Sequence, residues 1–173
     1  MQHRLQSAIA PSARLILIDL VGSDLEDEQM AAYRSLLVKA RKTGLMIAHS
    51  FRGDAQTPTL RRRPIEGLTP LPDEAVFIRQ KQSTFSSRQF CDWVGATSGA
   101  LIFAGAANAA IASARFAATL GHKVFVSPVA ANTNHPVRPR AGVSFYPLEH
   151  STPNLGAHFE QLMLLLESEV ANA

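Results

Sequence analysis

ALIFAGAANAAIASARFAATLG, residues Ala100 to Gly121, reads as a strand, a glycine turn and a helix. Leu101-Ile102-Phe103-Ala104 is the apolar strand and Gly105 the turn. Beyond it the residues are almost all alanine, the strongest intrinsic helix former. This order places a helix N-terminus, with its unpaired N–H groups, at the carboxyl end of a parallel sheet. Open α/β sheets bind ligands there. Gly105, Ala106, Ala107, Asn108, Ala109 and Ala110 are therefore candidate binding positions. No Ser, Cys, Asp, Glu or His lies between Gly105 and Ile111, so the scaffold of a site stands without a reactive side chain. Asn108 is expected to cap the helix.

The same alternation extends in both directions. Residues 14–18, RLILI, are a continuous apolar run, as in a strand buried on both faces, and the run ends at Asp19. Ser23 and Glu26 form a capping box for a helix with a buried stripe of Met30, Tyr33, Leu37 and Ala40, stopped by Gly44. Residues 45–48 are the next strand, ending at His49. Residues 50–72 are a long connection rich in Arg, Thr and Pro, of the kind that lines sites. Residues 75–78 are a third strand, followed by Arg79, and a helix carries Phe90, Trp93 and Val94. Residues 123–126 and 143–146 are further strands. Thr152-Pro153 opens a last helix with a stripe of Leu155, Phe159, Leu162, Met163 and Leu166. Strands alternating with helices predict a three-layer αβα, Rossmann-like domain on a mainly parallel sheet of five or six strands. It spans residues 1–173 as one domain, with 1–13 a loosely docked leader.

Composition narrows the function classes. Of 173 residues, 46% are hydrophobic, enough for a sizeable core, but no run is long enough to span a bilayer. A net charge of +3, from 17 basic and 14 acidic side chains, is too mild to point to nucleic acid. The basic clusters Arg61-Arg62-Arg63 and Arg138/Arg140 lack interleaved aromatics and read as solvated faces or an anion-attracting rim. Cys91 is the one cysteine, so no internal disulfide forms and a reducing, cytoplasmic setting fits. A single His49 without a nearby Asp-x-His pattern gives no metal expectation, and no cofactor is implied.

Four stretches, in order, resemble the isochorismatase-like hydrolases, the cysteine hydrolase superfamily. LILIDLVGSD looks like that family's first strand with its catalytic Asp, here Asp19. IEGLTPLPDEAVFIRQKQSTFSS looks like the run into its Lys-bearing strand and Ser-Ala-Phe loop, with Arg79 in the Lys position and Ser83-Thr84-Phe85 in the loop. LIFAGAANAA looks like the strand and turn carrying the nucleophilic Cys. SARFAATLGHKVFV looks like the Thr-Ala-Arg-x-Ala helix and the next strand. The resemblance implies a catalytic role for Asp19, with Arg79 as its partner or as an anion-binding group. It implies substrate contact for Phe85 and for residues 105–110, and a peptide bond at Ala106-Ala107 that relatives often hold in cis.

The departures from that pattern bear on mechanism. The turn is about two residues short, and Ala109 or Ala110 falls where the Cys belongs. Cys91 lies in the preceding helix and reads as a packed, inert thiol. Arg79 keeps the positive charge of the Lys but does not give up its proton. Three readings follow. One is Cys-independent hydrolysis of a small carboxylated substrate, with Asp19 as general acid/base, as in isochorismatases that lack the Cys. The second is a catalytically silent binder or partner subunit, and the third an oligomer with a filled pocket. The alanine-rich helix also suits a homo-oligomer interface, and Ser113 is expected to bond back to its own helix.

Overall fold

The computed structural model describes residues 13–21, 27–53, 65–95, 99–128 and 143–145. The capping box at Ser23 and Glu26, the last helix and most of the leader lie outside them. Six strands form one sheet: β1 (Arg14–Ile18), β2 (Met46–Arg52), β3 (Ala75–Arg79), β4 (Leu101–Gly105), β5 (Val124–Pro128) and β6 (Val143–Phe145). Their order is β3-β2-β1-β4-β5-β6, and every neighbouring pair is parallel. The chain thus winds outward from β1 in both directions. The winding reverses between β1 and β4, and sheets of this kind hold ligands beyond the carboxyl ends of the strands at that point.

Two cores lie on the two faces. Leu15, Leu17, Ile47, Ile102, Ala104 and Phe125 point to the side of α1 (Asp27–Lys42). Ile16, Ile18, Ala48, Phe77, Phe103 and Val126 point to the side of α2 (Arg88–Val94) and α3 (Ala107–Thr119). The central strands are buried on both faces, which is why RLILI and LIFAG carry apolar residues at consecutive positions. Tyr33, Leu37 and Ala40 are fully buried in the α1 stripe, and Met30 is half-buried. Gly44, at φ +71, ends α1. Its N–H donates to Arg41 O, and that of Leu45 to Ala40 O, the paired bonds of a left-handed helix terminus.

Three expectations need correction. β2 does not end at His49; it continues to Arg52, because Ser50 pairs with Ile18 and is fully buried despite its polarity. His49 therefore sits mid-strand opposite Leu17. Asn108 does not cap α3: the helix starts at Ala107 with Ala106 in the cap position and no side-chain cap bond, which leaves Asn108 exposed in the first turn. The described peptide bonds, Ala106-Ala107 included, are all trans.

Candidate functional site

The ends of β1, β2, β3 and β4 converge on Asp19. The backbone turns sharply there: Asp19 has φ +51, a left-handed conformation that Asp tolerates better than most residues. Its N–H donates to Ser50 O at 2.9 Å, which holds the turn against β2. Arg79 ends β3 directly opposite Arg52 of β2. Its Nη1 donates to Asp19 Oδ1 at 2.8 Å and its Nη2 to Oδ2 at 2.5 Å. Its Nε donates to Gln82 O at 3.0 Å. The Arg52 N–H donates to Asp19 Oδ1 at 2.9 Å. The Arg79 side chain is 1% exposed and that of Asp19 22%. Both oxygens of Asp19 thus accept N–H donors, the pattern of a carboxylate held as an acceptor.

The turn after β4 leans on the same place. Gly105 has φ +121, and a Cβ there would stand 2.1 Å from Ile18 O. Only glycine fits that approach. Ala106 N–H donates to Ile18 O at 2.9 Å, which locks the turn to the end of β1. From behind, the Tyr33 hydroxyl meets the backbone of Gly105; burial pushes its phenol pKa up, and that backbone bond opposes the shift. Ala107, Ala109 and Ala110 are buried, and Ala109 and Ala110 belong to the core facing α3. The first turn of α3 has no side-chain cap, and its leading N–H groups have no acceptor within the helix.

The other candidate residues fall elsewhere. Phe85 is half-buried in an aromatic cluster, its ring centroid 5.0 Å from Phe90, 5.0 Å from Phe116 and 6.4 Å from Phe103. No hydrogen bond or ring contact among the described residues joins it to the Asp19–Arg79 pair. Cys91 lies on α2, half-buried, with its thiol donating to Phe85 O at 3.3 Å. His49 contacts Glu74, and no group of three metal-ligating side chains occurs among the described residues. Ser113 donates to Ala109 O at 2.7 Å, as expected for a helix-internal serine. It also accepts the Thr84 N–H at 2.9 Å, a bond across 29 residues that nothing local in the sequence signals.

No protein-family model and no curated protein matches the sequence. Solved structures do match the fold. An isochorismatase from Pseudomonas putida is 25% identical, with a TM-score of 0.55 over 68% of this chain and 69% of its own. An isochorismatase family protein from Burkholderia thailandensis is 13% identical, with a TM-score of 0.59 over 78% and 91%. By its fold, the chain is an isochorismatase-like superfamily member. The MAR1 ribonuclease from Caenorhabditis elegans shares the fold at 14% identity, with a TM-score of 0.53 over 89% and 73%.

Within this isochorismatase-like chain the sequence resemblance and the geometry meet at two residues. Asp19 and Arg79, matched to the family's Asp and Lys from separate stretches, are in direct contact. In the turn from β4 into α3, Ala107, Ala109 and Ala110 are buried, and Ala109 and Ala110 pack in the core. No helix among the described residues is long and apolar enough to cross a membrane.

Proposed function

We propose that this isochorismatase-like chain binds a small molecule in the crevice above β1 and β4 without thiol chemistry and without turnover. The bidentate grip of Arg79 on Asp19 carries the reading. A guanidinium whose fork is filled by one carboxylate and whose Nε is filled by a carbonyl has no fork left for a substrate carboxylate. Nor does it relay a proton, because Arg stays protonated. Asp19, accepting three N–H donors, is placed to be held rather than to donate. The crevice keeps the N–H groups of α3 and the exposed part of the Asp19 carboxylate as its polar features. The single cysteine fits a cytoplasmic setting. The exposed Phe116 on α3 and Leu120 just past its end favour a homo-oligomer.

One observation favours Cys-independent hydrolysis of a small carboxylated substrate. Asp19 is partly exposed and sits in a left-handed conformation, and non-glycine residues in that region gather at working sites. There Asp19 acts as general base on a water, and Arg79 only holds it. Purified wild type and Asp19→Asn, assayed on isochorismate, nicotinamide, a carbamoyl amide and an aryl amide, separate the two readings. Binding, seen as a thermal shift without turnover, supports the silent binder. Turnover that Asp19→Asn abolishes overturns it in favour of the hydrolase.

A further inference from the structure

A second buried polar cluster lies on the α1 face, apart from the crevice. Glu74, just before β3, is its centre. Its Oε1 accepts from Arg41 Nε at 2.7 Å. Its Oε2 accepts from Arg41 Nη2 at 3.0 Å and from the Leu71 N–H at 3.0 Å, and lies 2.8 Å from His49 Nε2. The side chains of His49 and Glu74 are 1% and 6% exposed. The same arginine donates to Thr69 O at 3.0 Å, and Arg34 donates through Nε to Glu66 O at 3.0 Å. Leu68, 1% exposed, plugs the segment into the α1 core. Residues 65–74 are thus a strap tied down along the C-terminal half of α1, and His49 lies on the strand beneath it.

We propose that His49 is an acid sensor for this strap: protonation of the buried ring favours a state in which residues 65–74 lift from α1 and His49 meets water. The groups facing His49 are few. α1 presents the Arg41 guanidinium, the turn before β3 presents Glu74, and β1 presents the apolar Leu17. Within β2 the ring stacks on Phe51, 6.2 Å between centroids. A neutral ring with its proton on Nε2 satisfies Glu74; a second proton places a cation in a buried slot where Arg41 already neutralises that carboxylate. Burial pushes the His49 pKa down, Glu74 pulls it up, Arg41 pushes it down again, and the balance is downward. A lifted strap returns the ring to its ordinary value, so the lifted state takes up a proton that the closed state refuses. The lifted population then rises as pH falls below the ordinary imidazole value, by up to about ten-fold per pH unit. Glu74 stays ionised through that window, since its carboxyl is held at about 2.

Hydrogen exchange of the full chain at about pH 7.5 and about pH 5.5, corrected for intrinsic rates, reads the strap directly. In wild type, protection of residues 65–74 is expected to fall by up to about ten-fold at the lower pH while β1 and β4 hold theirs. His49→Gln keeps a donor for Glu74 but does not titrate, and is expected to abolish the pH-dependent loss. Equal loss in His49→Gln, or strap protection in wild type that ignores pH, overturns the proposal. Should His49→Gln fail to fold, NMR titration of wild type decides. The His49 ring and the Leu71 amide must then move with one midpoint, and a ring that titrates while the Leu71 amide stays still overturns it.

Discussion

Arg79 reaches across β2 to Asp19, and its guanidinium fork closes on both carboxylate oxygens at 2.8 and 2.5 Å. The two residues are 60 positions apart in sequence and two strands apart in the sheet. Because the arginine side chain is 1% exposed, its charge has little recourse to water once the partner is gone. Removing one member of a buried pair costs more than the pair contributes, since the remaining charge is stranded. Asp19→Ala is therefore expected to destabilise the fold by about 3 kcal/mol in urea unfolding. A loss under half that size would show Arg79 finding a new partner or water.

Gly105 makes a separate prediction at the other wall of the crevice. Its φ of +121, and the 2.1 Å that would separate an added Cβ from Ile18 O, leave no room for a side chain against rigid backbone. Gly105→Ala must either strain the turn or push β4 from β1. It is expected to cost about 2 kcal/mol or more and to lower the thermal midpoint. Gly121→Ala is a useful comparison, because Gly121 also has a positive φ, +86, but open space around its Cβ position. A smaller loss there isolates the steric part.

The sequence made the strands of this fold legible because the central ones are buried on both faces, so β1 and β4 are apolar at almost every position. It made Asp19 legible for the same reason: a carboxylate stands out at the end of such a strand. It hid the end of β2, where Ser50 and Arg52 look like loop residues. Ser50 is buried by Ile18 beside it, and Arg52 is fixed by its register with Arg79. It also misplaced the start of α3, because the turn at Gly105 is tight enough to begin the helix before Asn108. The contact of Arg79 with Asp19 depends on strand order, and the Glu74 cluster on where a connection returns over α1. Neither leaves a local pattern in the sequence.

Ser113 ties the loop that carries Gln82, and so the Arg79 guanidinium, to α3. Its hydroxyl donates to Ala109 O and accepts the Thr84 N–H, in a place with no exposure. Ser113→Ala strands the Thr84 N–H away from water, which costs about 1–2 kcal/mol. Amide exchange at Thr84 is expected to speed up more than exchange in the middle of α3. Ser113→Thr restores the hydroxyl but adds a methyl to a filled core, so it should recover the Thr84 protection only in part. Unchanged exchange at Thr84 in Ser113→Ala would mean that the amide has another acceptor.

Glu74 is expected to contribute to the acid limit of stability. Burial pushes its carboxyl pKa up; the Arg41 fork, the Leu71 N–H and His49 outweigh that and hold it at about 2, against an ordinary value of 4.5. A carboxyl depressed in the folded state contributes its full stabilisation above its ordinary pKa and loses it as pH falls toward the folded value. The unfolding free energy of wild type is therefore expected to slope downward between about pH 4.5 and about pH 2. Glu74→Gln removes the charge at every pH. It should lower stability at neutral pH, where one of the two oxygens facing Arg41 and His49 becomes an NH2 donor and the charge is lost, and flatten the slope in that acid window. Unfolding curves of both proteins across the window check this directly. A variant that keeps the wild-type slope would move the acid sensitivity from Glu74 to another carboxylate.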